Sequence, residues 1–359
     1  MNTHNTLPAG VIEGFFGRTW RWQERRELAA FLGDNRLTFY LYAPKADRYL
    51  RSQWRSNHPP QEWQELKQTR ATYSDHHIDF GVGLSPLDLC SATGEAETQA
   101  LDRKIRELNK LNLDYLALLF DDMRGDMPQL AERQAQLACR SAELSNARKI
   151  ILCPTYYSTD PVLEKVFGKA PANYLQDLGR QLDPTIDVFW TGPKVCSEHY
   201  PRDHLLEVTD LLGRQPFLWD NYPVNDGAVR SQHLYLAAPE DDRAQITNLI
   251  SGIAANPMNQ FAASFPALAG LGRAVTQKHY AREAATAEIF NDLYPQQLAA
   301  QLATDAPNFA RVKLSDMSET EKLDLMEIYR SWQNRAPIAK EVCEWLAGGY
   351  EFDPNCLTE

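Results

Sequence analysis

No apolar run in the chain approaches the roughly 18 residues needed to cross a bilayer, so a membrane-spanning protein is not expected. The first nine residues, MNTHNTLPA, are polar and lack the apolar centre of a signal sequence, which makes the cytoplasm the expected compartment. Positive charge is in deficit. The 37 Lys and Arg against 48 Asp and Glu leave a net charge of −11, which repels phosphate backbones and anionic lipid. Neither nucleic acid nor a membrane surface is therefore an expected partner. The six cysteines, Cys90, Cys139, Cys153, Cys196, Cys343 and Cys356, are scattered with no CxxC pair. They read as reduced, buried small hydrophobes rather than as a disulfide or zinc framework. The eight histidines form no metal set, and His76 and His77 read as a helix end. GxGxxG, GxxxxGK[ST] and GxSxG are all absent, which speaks against a dinucleotide site, a P-loop and a serine-hydrolase elbow. There is no long low-complexity stretch and no sequence repeat.

What is present is a regular alternation. Eight short apolar runs recur with amphipathic stretches between them: GVIEGFF (10–16), RLTFYLYA (36–43), DFGVGL (79–84), YLALLFD (115–121), KIILCPTYY (149–157), DVFWTG (187–192), FLWDNY (217–222) and ISGIAANP (250–257). Nearly continuous apolar character is what a strand buried on both faces requires. Leu28, Phe31 and Leu32 share one helical face, as do Leu101, Ile105, Leu108 and Leu111, and then Leu205, Val208, Leu211 and Leu212. Gly33 and Gly213 are placed to end their helices. Eight strand signals in this order predict an α/β fold, a (β/α)8 TIM barrel. After Pro257 the pattern is helical only. It includes a capping box from Ser318 to Glu321 and a face of Ile338, Val342, Trp345 and Leu346 that stops at Gly348 and Gly349. The expected organisation is a barrel over 1–282, its eighth helix drawn from 259–290, and a C-terminal α-helical appendage over 283–359.

Barrel enzymes carry their reactive groups at the carboxyl ends of the strands. Here those positions hold Glu13 with Gly14, Lys45, Asp121 with Asp122, Thr155 with Tyr157, Thr191, Trp219 with Asn221 and Tyr222, Asp226, and Asn256. The pair Asp121 and Asp122 follows an apolar strand directly, and helix-forming sequence resumes only near Gln129, so the pair does not cap a helix. Two like charges in a sheltered pocket push their pKa values apart, leaving one carboxyl ionised and one protonated. Asp126 extends the pair to DDxxxD and raises magnesium, but a site of that kind needs a second acidic cluster or a phosphorylated substrate, and neither is evident. The remaining groups are amides, hydroxyls, one lysine and the flat faces of Tyr157, Trp219 and Tyr222, a lining suited to an uncharged polyhydroxylated ring.

Seven motifs in order, EGFFGRTW (13–20), YLYAPKAD (40–47), LFDDM (119–123), CPTYY (153–157), FWTGPKVCS (189–197), LWDNYPVND (218–226) and ANPM (255–258), resemble those of glycoside hydrolase family 84. The resemblance covers most of residues 10–260. It implies a retaining β-N-acetylglucosaminidase, with Asp122 as general acid/base and Asp121 as the carboxylate that orients and polarises the substrate's 2-acetamido group. The backbone of Gly14 and the side chains of Lys45, Asn221, Asp226 and Asn256 would hold the sugar hydroxyls and acetamido group, with Asn259 close by in sequence. Tyr157 would assist the acetamido chemistry and Trp219 would form a wall. Phe16 stands where many relatives have Tyr, and Cys196 where valine is common.

Adjacent carboxylates on one strand end cannot easily flank a sugar on opposite faces, as an enzymic nucleophile would require. They suit the alternative in which the acetamido oxygen attacks the anomeric carbon and forms an oxazoline, with no metal or organic cofactor. The implied partner is a GlcNAc-containing glycoside or glycoprotein. The alternatives are an endo-acting, hyaluronidase-like glycosidase and a sugar-binding barrel without catalysis. Exposed tail aromatics such as Trp332 read as tail packing, with a homodimer contact as the alternative.

Overall fold

The computed structural model describes residues 7–91, 94–350 and 352–358. Eight strands, β1 (Ala9–Glu13), β2 (Phe39–Tyr42), β3 (Asp79–Leu84), β4 (Tyr115–Leu119), β5 (Lys149–Cys153), β6 (Asp187–Trp190), β7 (Phe217–Asp220) and β8 (Gly252–Ala255), lie in sequence order. All pairings are parallel, and β8 pairs back to β1 to close the barrel. Each of the eight apolar runs coincides with one strand, β1 beginning one residue ahead of its run, at Ala9.

The helices are α1 (Trp22–Asp34), α2 (Pro60–Asp75), α3 (Glu95–Leu108), α4 (Leu130–Leu144), α5 (Pro161–Phe167), α6 (Tyr174–Gln181), α7 (Arg202–Leu212), α8 (Asp242–Gln245) and α9 (Phe265–Thr276). They are followed by α10 (Arg282–Leu293), α11 (Gln296–Arg311), α12 (Glu319–Arg330) and α13 (Pro337–Leu346). Gly213 ends α7 in the left-handed conformation, as expected. Gly33 does not end α1. The helix runs through it to Asp34, and the left-handed residue that turns the chain toward β2 is Arg36.

Inside the barrel an aromatic column rises toward the carboxyl ends. Tyr115 meets Phe39, Phe39 meets Phe217, Phe217 meets Phe189, and Phe189 meets Trp219, with ring centroids 5.2 to 5.8 Å apart. Phe217 and Trp219, two residues apart on β7, share a face because strand side chains alternate. Gly252 makes room for them, since a Cβ there would lie 2.3 Å from the Phe217 ring.

A second apolar cluster holds the tail. Ile338, Val342, Trp345 and Leu346 of α13 pack with Phe309 and Tyr329, and also with Leu234, Leu236 and Met258 from the barrel's last loops. Trp332 is partly buried against this cluster, which agrees with the packing reading. The capping box at Ser318 and Glu321 forms as expected. Among the described residues no helix is long and apolar enough to cross a membrane, and none of the six cysteines is joined in a disulfide. Cys153 and Cys343 are buried as expected, whereas Cys90, Cys139, Cys196 and Cys356 are not: each is partly exposed.

Candidate active site

The barrel closes over a pocket at the carboxyl ends of its strands. Its lining includes Gly14, Lys45, Asp121, Asp122, Tyr157, Trp219, Asn221, Asp226 and Asn256, so every residue that the family resemblance assigns to the site is gathered there. Thr191 joins them. Glu13, Thr155 and Tyr222 do not. The Glu13 carboxylate is fully buried beneath the site, accepting from Arg25 of α1 at 2.7 and 2.8 Å and from the Tyr40 hydroxyl. Thr155 donates to the Phe120 carbonyl and accepts from Gln134, tying the end of β5 to β4 and α4. Tyr222 donates to the Ala237 carbonyl and packs against Tyr235, so its ring is not available as a sugar platform.

The carboxylate pair is bound by one ammonium. Lys45 Nζ donates to Asp121 Oδ2 and, at 3.1 Å, to Asp122 Oδ2. The expected like-charge repulsion is therefore answered by a cation lying between the two acids. Burial alone would lower the Lys45 pKa, but the charges of Asp121 and Asp122 outweigh it and raise the value. Arg51 brings a second cation to 4.0 Å from Asp122 Oδ2 and stacks over Phe16.

The two acids differ in surroundings. Asp121 Oδ1 is buried and has no hydrogen-bond partner among the described residues, which for a carboxylate oxygen is costly unless a donor arrives. Asp122 has a positive φ of 57°, a conformation that costs an L-residue with a Cβ roughly 1–2 kcal/mol. Such strain concentrates at functional positions. Asp126 points elsewhere. It pairs with Arg124 on the exposed turn, and among the described residues no group of His, Cys, Asp and Glu is arranged to hold a metal.

The lining also holds an amide chain. Asn256 Oδ1 accepts from Gly14 N–H at 3.2 Å, Asn256 Nδ2 donates to Asn221 Oδ1 at 2.9 Å, and Asn221 Nδ2 donates to the Val195 carbonyl at 2.8 Å. Trp219 Nε1 donates to the same Asn221 oxygen, which fixes the indole as a wall. Gly14 lies against that wall so closely that a Cβ would fall 2.3 Å from the ring. Asn259 is not part of the lining. It donates to the Phe16 and Arg18 carbonyls and holds the loop after β1 from outside.

Asp226 Oδ2 accepts from Phe16 N–H at 2.7 Å. Burial pushes its carboxyl up to about 6, against the opposing pull of that bond. Burial, then the charge of Asp122, raises the Tyr157 hydroxyl far above its usual range, so it is a neutral donor. Sequence reasoning did not place Cys153, Val195, Val224, Cys356 or Thr358 at the pocket. The first three lie within the seven motifs, whereas the last two carry no local signal at all.

The sequence pattern of the beta-N-acetylglucosaminidase family matches residues 9–306. The chain belongs to that family, within glycoside hydrolase family 84. Rat and mouse proteins named Protein O-GlcNAcase are each 31% identical over 270 residues, 72% of this chain and 29% of theirs. The chain thus corresponds to under a third of the length of these relatives. Among solved structures, a mutant O-GlcNAc hydrolase of Thermobaculum terrenum superposes with a TM-score of 0.76 at 29% identity, covering 91% of this chain and 71% of its own. The structure named CpGH84B gives 0.75 at 25% identity, covering 92% and 58%. Family 84 membership agrees with the closed barrel and with the motif order.

Proposed function

We propose that this glycoside hydrolase is a retaining exo-β-N-acetylglucosaminidase that removes β-linked GlcNAc from proteins or small glycosides by substrate-assisted catalysis. The observation that carries the reading is the partnerless, buried Asp121 Oδ1 beside the bound and strained Asp122. An acetamido N–H is the kind of donor that oxygen needs. With it in place, Asp121 holds the amide so that its carbonyl oxygen attacks the anomeric carbon, and supports the positive charge growing on nitrogen. The bond to the aglycone oxygen breaks as Asp122 gives that oxygen its proton. In the second half, water attacks the anomeric carbon, Asp122 takes its proton, and the acetamido group re-forms. Two displacements return the original configuration.

Lys45 has a part in this sequence of events. A sugar hydroxyl competing for its ammonium loosens the hold on Asp122, the carboxyl that must carry the proton. Trp219 and the Asn221–Asn256 chain offer a flat face and neutral amides to the ring.

Asp122→Ala tests the acid. On a poor leaving group its turnover is expected to fall by roughly two to four orders of magnitude, the usual worth of a positioned acid, while an activated phenolate leaving group is cleaved with little loss in the first step. Asp121→Asn is expected to bind substrate and lose rate. Equal losses by Asp122→Ala on both leaving groups would assign the acid elsewhere.

A further inference from the structure

The pocket described above already has an occupant, a segment of the same chain. Beyond α13 the backbone turns at Gly348, which has a φ of 75°, and Tyr350 is seated under Arg18 and donates to Glu344. Asp353 then organises a turn, accepting from the backbone of Asn355 and Cys356. This delivers Cys356 and Thr358 into the site. The Cys356 thiol lies 3.9 Å from Asp226 Oδ1, and the Tyr157 hydroxyl donates to Thr358 Oγ1 at 3.3 Å.

The polarity of the segment is inverted relative to ordinary packing. Thr358 is only 8% exposed, whereas its neighbour Leu357 is 59% exposed. A tail held by the hydrophobic effect would bury the leucine. This one places a hydroxyl and a thiol on two of the groups assigned to a sugar. Cys356 and Thr358 are both part of the lining of that pocket.

We propose that residues 353–358 form an intramolecular plug of the sugar pocket, so that the tail and a β-linked N-acetylhexosamine compete for one site. The proposal rests on the reading of that pocket as the sugar site. None of residues 352–358 belongs to either large apolar cluster, so their removal leaves both clusters intact. A plug of this kind sets the fraction of molecules able to bind. Apparent affinity falls by that fraction, and a pocket closed nine-tenths of the time raises KM about tenfold with kcat unchanged.

The test compares the full chain with one ending at Tyr350, and with the full-length double variant Cys356→Ala, Thr358→Ala. KM for a chromogenic β-N-acetylglucosaminide is expected to fall severalfold in both, with kcat preserved, and a synthetic peptide DPNCLT is expected to inhibit the shortened chain competitively. A second readout does not need turnover. Alkylation of Cys196, which lines the same pocket, is expected to be faster in the shortened chain when followed by peptide mass. Equal KM values together with equal Cys196 alkylation would overturn the plug. Faster Cys196 alkylation with no turnover by any of the proteins would instead support the plug and overturn the glycosidase reading.

Discussion

The different tasks proposed for two aspartates next to each other in sequence rest on the different neighbours that their side chains meet. Asp121 gives one oxygen to Lys45 and keeps the other without a protein partner among the described residues, while Asp122 shares the ammonium from a strained backbone position with Arg51 nearby. The DD pair was legible because it follows an apolar strand with no helix to cap. The ammonium between the acids was not, since Lys45 is 76 residues from Asp121 and only barrel closure brings them together. Asp226 supplies a pH prediction at the same scale. Burial pushes its carboxyl up to about 6, so the ionised form, which we propose as the acceptor for sugar hydroxyls, is present above that pH and lost as pH falls through it. KM measured from about pH 5 to pH 8 should therefore rise on the acid side. Asp226→Asn should raise KM throughout and remove that limb, and an unchanged limb in the variant would assign it to another group.

At the scale of elements, the strands were legible because each is a short, nearly continuous apolar run, the signature of burial on both faces. Helix ends were less so. Gly33 is a residue that often ends helices, but here α1 passes through it and Arg36 takes the left-handed turn. The attachment of the tail depends on a contact that no periodicity reveals. Glu341 of α13 accepts from the backbone N–H groups of Ala262 and Ala263, at 3.1 and 2.8 Å, where the chain leaves β8. Burial pushes its carboxyl up from the ordinary 4.5 to about 7. Between those values the folded state holds the proton more tightly than the unfolded chain, so this group's contribution to stability grows as pH falls and is lost as pH rises through about 7. Thermal unfolding should accordingly show the wild type gaining stability relative to Glu341→Gln between pH 7 and about pH 5, by at most about 3 kcal/mol. A parallel pH response in the two proteins would contradict this placement of the charge.

For the whole molecule, the acidic balance, the closed barrel and the end of the barrel that carries the candidate pocket were all readable, because each follows from composition or from a pattern repeated eight times. The relation of tail to barrel was not. The proposed division at 282/283 falls one residue inside α10, and we propose it for the chain order of the helices alone, since the cluster that holds α13 also takes in Leu234, Leu236 and Met258 from the barrel. The segment entering the pocket was invisible in sequence for the same reason: Cys356 and Thr358 act through residues 130 and 201 positions away.

The substrate's own amide is the nucleophile in the proposed mechanism, and one series of substrates measures that directly. A set of aryl glycosides carrying zero to three fluorines on the N-acyl group changes the basicity of the carbonyl oxygen with almost no change in the ring or leaving group. Substrate assistance predicts that kcat/KM falls steeply and regularly with each fluorine. Rates independent of fluorination would show that the attacking atom belongs to the protein, and would contradict the roles proposed for Asp121 and Asp122.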